Sequence, residues 1–558
     1  MPDRTVYLET FGCQMNELDS ELVAGQLTAL GYRLTGEADA ADVVLYNTCS
    51  VRDLAEQKVR SRLGEIRLRK AEEPGLVVGV LGCMAERDGE DLIRKFPVVD
   101  VLCGPAELDK LPGLLDNAVR TRESLVADAG DEAVLTKKNG RTVHASAERS
   151  AKVVALQGDS SRRSSTLAAA GDSLEMLDLS RAVSPHDHDG SAYVRITRGC
   201  NKFCTYCVVP HTRGAEIHRP PDHIVDECKR LADAGIVEVT LLGQTVNHYR
   251  FEHGSSVSVS GVTQPQKGRT YKGSHHRDVY AGERVTTFAD LLKRIHDEAP
   301  GIQRLRFVTS YPRDFGNDVL EVMRDSPRIC RYLHIPAQSG SNEVLARMNR
   351  GYTVEEYLEF LDRARHFLDE PEKGRPLMLA GDMIVGFCGE TEADFEASKE
   401  LLRKARYKNC FIFKYSPRPG TTAYDRIADD VSEADKRRRC NELLAVQHEI
   451  SHGISESLVG SVQHVFVQGV SEYERKRAKA ADNGMISLTV GGRSDLGSTN
   501  AAVLERASGP VQMTGRTDGD LIVVFDCPES RSATGLIGRV VPVRIARANV
   551  LTLFGELV

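Results

Sequence analysis

The sequence predicts an α/β protein with three folded units: an N-terminal parallel-sheet domain, a central β/α barrel that closes fully or in part, and a small C-terminal β-barrel. Three observations lead to this prediction. Strand-like and helix-like segments alternate through the first two units, which favours parallel sheets. Short β patterns dominate the C-terminal part. The length of 558 residues suits roughly three or four domains.

Composition limits the class of protein. Apolar residues make up 41% of the chain and charged residues 27%, which excludes wholesale disorder. The formal net charge of −7 argues against a uniformly basic nucleic-acid binder, although a local basic patch can still bind RNA. No apolar stretch is long enough for a membrane span, and the first residues lack the apolar core of a signal peptide. We therefore expect a cytoplasmic protein without a membrane partner, and a monomer by default.

The N-terminal unit is assigned to residues 3–125. Its expected elements are strands at Val6–Leu8, Val43–Leu45 and Val77–Val80 and an amphipathic helix at Ser20–Leu30. Residues 126–190 are polar and rich in turn-forming residues, so we interpret them as a linker or insertion.

The central unit is assigned to residues 191–450. Helical segments such as Asp222–Ala234 and Glu392–Ala405 lie between successive strand candidates, and repeated β–α units favour a barrel. Residues 251–284 interrupt this pattern with Ser, Gly, Gln and His and are expected to form a surface insertion. The strand candidates are Tyr193–Ile196, Val237–Leu242, Leu305–Val308, Tyr332–Ile335, Leu379–Val385 and Cys410–Phe413.

The C-terminal unit is assigned to residues 455–558. Strands are predicted at Val462–Val467, Leu521–Phe525 and Val540–Ile545, which suit a small barrel. Residues 478–510 are interpreted as a further insertion.

The strongest chemical signal is a cysteine motif in the central unit. Cys200, Cys204 and Cys207 form a C-x3-C-x2-C run directly after a predicted strand. Three thiolates at this spacing can bind three corners of a cubane iron–sulfur cluster and leave one iron open. A structural zinc site, completed by His211 or His218, is the alternative.

This motif resembles that of the radical S-adenosylmethionine (SAM) superfamily, with the aromatic Tyr206 before Cys207. The resemblance implies a barrel that holds a 4Fe–4S cluster, whose open iron binds the amino and carboxylate groups of SAM. An electron from the cluster then cleaves SAM to a 5′-deoxyadenosyl radical inside a water-shielded cavity.

A second set of cysteines lies in the N-terminal unit. Cys13, Cys49 and Cys83 each follow a predicted strand. In a parallel sheet the carboxyl ends of strands meet at one edge, so the three thiols can converge there. Spacing alone leaves open whether they are ligands or ordinary buried thiols.

The sequences around these cysteines resemble the N-terminal domain of the methylthiotransferases, a radical SAM family. The resemblance implies that Cys13, Cys49 and Cys83 hold a second 4Fe–4S cluster, and that the C-terminal barrel is a TRAM domain, which binds RNA. The runs that carry it include Glu9–Asn16, Asp19–Glu21, Asn47–Arg52, Gly82–Ala85, Arg213–Gly214, Gly243–Asn247, His334–Ser341, Arg347–Thr353, Asp382–Phe387 and Tyr415–Thr421. The three insertions, and Cys388 in place of the usual proline, depart from the family pattern.

The resemblance implies a tRNA methylthiotransferase that adds a methylthio group to C2 of N6-dimethylallyladenosine next to the anticodon. One SAM would donate the methyl group to a sulfur on the N-terminal cluster, and a second SAM would yield the radical that removes the C2 hydrogen. A radical is needed because no ordinary side-chain base deprotonates that carbon at neutral pH. The expected partners are a tRNA anticodon stem-loop, an electron donor and a sulfur source.

Two other functions stay open. The same chemistry can act on threonylcarbamoyl-adenosine tRNA or on a ribosomal-protein aspartate, although the run Gln14–Asn16 favours the tRNA subgroup with the prenylated substrate. A non-catalytic iron–sulfur RNA-binding protein is the alternative from a different class.

Further candidate residues follow from position. Small and polar residues at predicted strand ends suit contacts with a nucleoside, and basic residues on a β surface suit phosphate contacts. The candidate SAM contacts are Tyr206, Gln244, Ser339, Asp382 and Gly386, and the candidate RNA contacts are Arg539, Arg544 and Arg547.

Overall fold

A computed structural model describes residues 4–51, 53–128, 135–138, 141–144, 152–156, 173–181, 190–268, 285–308, 310–483, 504, 510–528 and 531–558. Within these residues, no helix is both long enough and apolar enough to cross a membrane.

The N-terminal domain is a parallel sheet covered by helices on both faces. Alternate residues of its central strand face opposite layers: Val43 and Leu45 pack with the helices at Gln14–Ala29 and Leu111–Asp128, whereas Val44 packs with the helix at Asp53–Glu72. The strands are β1 (Thr5–Phe11), β2 (Arg33–Leu34), β3 (Val43–Thr48), β4 (Val77–Gly82) and β5 (Val101–Cys103). The helices are α1 (Gln14–Ala29), α2 (Asp53–Glu72), α3 (Cys83–Asp88), α4 (Glu90–Lys95) and α5 (Leu111–Asp128).

The stretch expected to be a linker contributes to this domain. After the hairpin of β6 (Leu135–Lys138) and β7 (Arg141–His144), strand β8 (Val153–Ala155) pairs with β5 and completes the order β2-β1-β3-β4-β5-β8. Helix α6 (Ser173–Leu179) follows and brings buried carboxylates to the central domain. Within residues 126–190, interpreted above as a linker or insertion, the short apolar run of β8 thus pairs with the free edge of β5.

The central domain is an open β/α barrel of six parallel strands, as predicted. One half has the order β9-β12-β18 and the other β19-β20-β21, and a parallel bridge between Leu305 and Ile329 joins the halves. The described strands show no pairing between β9 and β21, so the barrel is partial. Its six strands are β9 (Ser191–Arg195), β12 (Glu238–Leu242), β18 (Arg304–Phe307), β19 (Tyr332–His334), β20 (Met378–Val385) and β21 (Asn409–Lys414).

Helices pack around the outside of these strands and complete the main apolar core. They are α8 (Pro221–Asp233), α9 (Phe288–Glu298), α10 (Asn317–Asp325), α11 (Asn342–Arg347), α12 (Val354–Leu368), α13 (Glu392–Ala405) and α15 (Glu433–Glu456). The short helices α7 (Val209–Thr212) and α14 (Thr422–Arg426) contribute no residue to this core.

Part of the segment expected to be an insertion, residues 251–284, forms short strands beside the barrel. Strand β13 (Arg250–Glu252) pairs with β17 (Val285–Thr287), and β14 (Ser258–Val259) pairs with β15 (Val262–Thr263). Strand β16 (Gln266–Lys267) joins β10 (Thr197–Arg198) and β11 (Ile217–His218) in a small antiparallel sheet. Residues 269–284 lie outside the described residues.

The C-terminal domain is a closed five-stranded barrel of order β22-β23-β24-β26-β25. Strands β23 and β26 were not predicted, and α16 occupies the beginning of the expected insertion at 478–510, most of which lies outside the described residues. The elements are β22 (Val462–Val470), α16 (Glu472–Asn483), β23 (Val511–Thr517), β24 (Ile522–Cys527), β25 (Val540–Ala548) and β26 (Thr552–Leu557).

The turn between β23 and β24 closes the central barrel at the end where its strands begin. Lys408, just before β21, donates to the Asp520 carboxylate at 2.9 Å. Arg304 and Arg306, both paired with Glu238, donate to the Thr517 carbonyl at 2.5 Å. The C-terminal domain thus does not cover the carboxyl ends of the barrel strands, and these ends remain available for an active site.

We predict that Asp520→Asn weakens this closure. Burial raises the pKa of Asp520, but the positive charges of Lys408, Arg516 and Arg306 have the larger effect. They hold this pKa well below the ordinary carboxyl value. The carboxylate therefore stabilises the fold at neutral pH, and this contribution fades as the pH falls below about 4. Asparagine tolerates the positive φ of this position. Because a quarter of the Asp520 side chain is exposed, we expect a loss of about 2 to 3 kcal/mol in the free energy of unfolding.

Urea titration of the wild type and Asp520→Asn at pH 7 and pH 3.5 checks this expectation. Asp526→Asn, on the exposed surface of β24, is the matched control. Equal stability of the two variants at pH 7, or a difference that widens instead of narrowing at pH 3.5, would contradict the assigned role of the Asp520 charge.

Two cysteine trios as the candidate active site

The N-terminal cysteines converge because three neighbouring strands end in register. Phe11 of β1, Thr48 of β3 and Gly82 of β4 lie side by side. Cys49 and Cys83 directly follow their strands, and Cys13 follows β1 by two residues and caps α1. All three thiols therefore lie at the carboxyl edge of the sheet, as the sequence predicted.

Close backbone approach and a buried amide network shape this edge. Gly12 has a φ of +144°, and a Cβ there would lie 2.5 Å from the Cβ of Cys49, so a side chain does not fit. Asn47 donates to the Asn16 carbonyl and to the Ser20 hydroxyl, both at 2.9 Å. Asn16 donates to the Asn47 side-chain oxygen at 3.1 Å. The asparagines of the two family-like runs thus hold the loops that carry Cys13 and Cys49.

Arg213 of the central domain lies beside this trio and ties the two domains together. Its guanidinium donates to Asp19 at 2.8 Å, and Arg195 donates to the same carboxylate at 3.2 Å. A hydrogen bond with Cys49, helped by the charge of Arg213, lowers the pKa of Cys13 to about 6 against the effect of burial. Burial raises the pKa of Cys83. A buried arginine is thus available to balance negative charge on this trio.

The second trio lies on the loop between β10 and α7, at the carboxyl end of the barrel. The loop is held by backbone hydrogen bonds from Cys200 to Gly214 at 3.2 Å and from Cys207 to Cys204 at 3.0 Å. Arg350 is buried and donates to the Cys204 sulfur at 3.3 Å and to the Tyr206 hydroxyl at 3.4 Å. The motif is therefore held in place by a cation from the far side of the barrel.

The two trios face each other across the domain boundary. Thr212, in α7 behind the second trio, hydrogen-bonds the Cys83 thiol. Burial is the main reason that the pKa of Cys207 is raised to about 12, and the nearby thiols of Cys204 and Cys83 contribute. Burial also raises the pKa of Cys200 strongly. Metal binding at these thiols would therefore release protons.

The donor sets fit iron–sulfur clusters better than single zinc ions. Thiolates on one tetrahedral zinc lie roughly 3.8 Å apart, given Zn–S bonds of about 2.3 Å. Among the described residues, one group places three metal-ligating atoms within 4.8 Å of one another. It consists of Glu216, His218 and His248 and contains no cysteine. Each trio is thus too wide for one ion, whereas a cubane is several ångströms across. His218, proposed above as a zinc ligand, lies in that separate group.

The candidate SAM contacts are spread around the carboxyl end of the barrel. Gln244 follows β12 and is partly exposed, and Tyr206 is partly buried beside Arg350. Asp382 lies 3.2 Å from His334 on the inner face of β20. Their role as SAM contacts stays a prediction.

Two of these candidates have structural partners in the fold. The Ser339 hydroxyl accepts from the Ser341 amide at 3.2 Å. Gly386 has a φ of +70°, and a Cβ there would lie 2.3 Å from the Lys436 side chain, so helix α15 requires a glycine. Turn geometry and packing account for both residues without a ligand.

The candidate RNA contacts lie on the C-terminal barrel. Arg539 precedes β25, and Arg544 and Arg547 lie on it; all three side chains are exposed. The Arg547 guanidinium lies 3.6 Å from the centre of the Phe554 ring. The three arginines thus lie in a different domain from either cysteine trio.

Comparisons with known proteins agree with this architecture. Residues 5–104 match the Uncharacterized protein family UPF0004, and residues 194–402 match the Radical SAM superfamily. A protein from Rhodopirellula baltica, called tRNA-2-methylthio-N(6)-dimethylallyladenosine synthase, is 40% identical over 94% of this chain and 90% of its own length. The chain belongs to the radical SAM methylthiotransferase family. A relative of the same name from Opitutus terrae is 35% identical over 99% of this chain and 97% of its own length.

Among solved structures, the radical S-adenosylmethionine methyltransferase TsrM from Kitasatospora setae matches with a TM-score of 0.42 and 16% identity, over 76% of this chain and 74% of that chain. Membership of the radical SAM methylthiotransferase family implies that this enzyme uses SAM and a 4Fe–4S cluster.

Sequence reasoning missed several residues around the trios. Arg213 and Arg350 lie within or beside runs that resemble the family, yet no local spacing marks them as partners of thiols. Asp19 meets Arg213 only because the two domains dock. Of these residues, only the two arginines could have been singled out from the sequence. Each is a charged residue next to a glycine in a run that resembles the family, where a side chain that only faced solvent would not need to be an arginine.

We predict that Cys13 is the most reactive thiol of the cluster-free protein. Its pKa of about 6 makes it largely thiolate at pH 7, and the thiolate is the nucleophile. Alkylation with iodoacetamide, followed by peptide mass spectrometry, should modify Cys13 first, with a rate that rises from pH 5 to about pH 7. Cys440, similarly half-buried but with a pKa raised by burial, is the internal control. Equal rates at pH 7 would contradict the prediction, and Arg213→Met should slow the labelling of Cys13.

Proposed function

We propose that this enzyme adds a methylthio group to C2 of N6-dimethylallyladenosine in tRNA, with the six cysteines of the two trios as cluster ligands. The observation that carries the proposal is the juxtaposition of the trios: Cys83 lies close enough to Cys207 to raise its pKa, although the two residues belong to different domains. Two metal centres side by side suit a reaction that needs both a radical and a sulfur donor.

The clusters supply the chemistry, and the chain supplies their environment. When bound, the cluster on Cys200, Cys204 and Cys207 provides the electron that cleaves SAM, and the cluster on Cys13, Cys49 and Cys83 provides the site from which the methylthio group is delivered. Arg350 holds Cys204 and Tyr206 in place, and Arg213 places a positive charge beside the N-terminal trio.

The inner face of the barrel suits a prenylated adenine. Phe411 and Phe413 point inward from the edge strand β21, in register with Asp382 and Ile384, and remain 44% and 41% exposed. Exposed aromatic faces can stack on a base or pack against an apolar substituent. A threonylcarbamoyl group carries a carboxylate, which the nearby Asp382 would repel. This contrast favours the dimethylallyl substrate.

The C-terminal barrel is proposed to be a TRAM-like RNA-binding domain within residues 455–558. The N-terminal cluster domain is proposed to span residues 3–125 and the radical SAM core residues 191–450. Phosphate contacts by Arg539, Arg544 and Arg547 would position the anticodon arm without reading its sequence. The reaction also requires an external electron donor and a sulfur source, and we place the enzyme in the cytoplasm with its tRNA.

Product analysis tests the proposed reaction. The anaerobically reconstituted protein should convert a prenylated anticodon stem-loop to its 2-methylthio product, detected by nucleoside mass spectrometry, and should contain about eight iron atoms. Cys83→Ala should lose the product and about four iron atoms but still release 5′-deoxyadenosine from SAM. Cys200→Ala should lose both products.

Cys440→Ala, which removes a half-buried thiol outside both trios, is the control and should keep iron and activity. Methylthiolation of threonylcarbamoyl-adenosine tRNA alone would refute the proposed substrate. SAM cleavage without a methylthio product on any tRNA would refute the reaction.

The RNA contacts are tested by the salt dependence of binding. Each phosphate contact that is removed should reduce the slope of log Kd against log salt by roughly one, and should weaken binding of unrelated stem-loops as well. We therefore expect Arg544→Gln and Arg547→Gln each to reduce the slope by about 1. Arg403→Gln, an exposed residue of α13, should leave the slope unchanged. A slope unaffected by both barrel substitutions would show that RNA binds elsewhere.

A further inference from the structure

A third group of ligand-type residues lies outside both cysteine trios, and the proposed reaction uses none of its members. Glu216, His218 and His248 each place one donor atom within 4.8 Å of the others. The three side chains are 0%, 3% and 11% exposed. We propose that these residues bind a divalent metal ion of the zinc type, separate from the iron–sulfur clusters.

Two chain segments build this group. Glu216 precedes β11 and His218 lies on it, so both side chains point to the same side of the extended backbone. His248 comes from the turn Val246–His248 that follows β12. Two imidazoles and one carboxylate are a common donor set for zinc and for other borderline divalent cations, and three protein ligands leave positions for water.

Hydrogen bonds do not account for the burial of the His218 side chain. Its Nε2 lies 3.9 Å from Oε1 of Glu216, which is beyond hydrogen-bond distance. Its Nδ1 is buried and has no hydrogen-bond partner among the described residues. Burial lowers the pKa of His218 to about 4, so the ring is neutral and offers a lone pair. Two donors on one tetrahedral zinc, each at about 2.0 Å, lie roughly 3.3 Å apart, so a small side-chain rotation from the 3.9 Å separation brings both atoms into bonding range.

An ion pair without a metal accounts for only part of the group. His248 Nδ1 lies 2.8 and 2.9 Å from the two oxygens of Glu216, so a protonated His248 would pair with this carboxylate. Lys202 also acts on Glu216 electrostatically, but its ammonium is bonded to Asp314 at 2.5 Å. Neither cation satisfies His218, whereas a bound metal would use all three side chains.

The site is closed and connected to the cysteine loop. Gly268 covers it: a Cβ there would lie 2.8 Å from Nε2 of His218 and 3.0 Å from Cγ of Glu216. The Asn201 side chain accepts from the Glu216 amide and donates to the Gly268 carbonyl, both at 3.1 Å. Because Asn201 follows Cys200, a metal here would brace the loop that carries the second trio.

Metal retention tests the proposal. The reconstituted holoenzyme is dialysed against micromolar Zn²⁺ and then against buffer, and zinc and iron are counted by plasma mass spectrometry. The wild type should keep about one zinc per chain. His218→Gln and His248→Gln should each reduce zinc affinity at least tenfold, with iron unchanged. The control is His253→Gln, whose histidine bonds Thr286 at 2.8 Å outside the group and whose loss should change nothing.

Zinc-edge X-ray absorption on the wild type makes the test independent of variant folding and of enzyme activity. We expect nitrogen and oxygen neighbours at about 2.0 to 2.1 Å and no sulfur shell at about 2.3 Å. A sulfur shell would place the zinc in the cysteine trios and overturn the proposal. A wild type that retains no zinc would also overturn it, and so would zinc retention by both histidine variants equal to that of the wild type.

Discussion

The geometry of the active site depends on one buried charge network between two domains. Asp19 of helix α1 is buried and accepts hydrogen bonds from Arg195 and Arg213, which belong to the central domain. Removing one partner of such a network leaves an uncompensated buried charge, which is strongly destabilising. Asp178 of helix α6 pairs with Arg195 at 2.9 Å and extends the network through the stretch between the domains. These contacts hold the N-terminal sheet edge over the mouth of the barrel, so that the two trios face each other.

The opposite end of the barrel has a different construction. There the turn between β23 and β24 places carboxylate and carbonyl oxygens beside donors near the strand starts: the side chains of Arg306 and Lys408 and the backbone amide of Arg331. The C-terminal domain therefore closes one end of the barrel, and the two cysteine trios lie at the other end.

Many strands and both sets of converging thiols were predictable from the sequence. Short apolar runs such as Val43–Thr48 and Val77–Gly82 predict strands at the centre of a sheet, where both faces are buried. The strands β23 and β26 were missed because glycine and polar residues interrupt their apolar alternation, as Gly515 and Gly555 show. The role of β8 was missed because three residues carry too little pattern, and its place is decided by the open edge of β5.

By itself, the sequence determined the ligand-type residues that lie close together along the chain. Cys200, Cys204 and Cys207 need only one loop to converge, and a three-residue or four-residue spacing encodes that loop directly. The convergence of Cys13, Cys49 and Cys83 required the strand register, which the sequence implies only through the expected order of a parallel sheet. Tertiary structure alone decided the rest. Arg213 meets Asp19, and His248 meets Glu216, because side chains distant along the chain become neighbours when packed elements bury them, and burial of charge demands partners that no local pattern records.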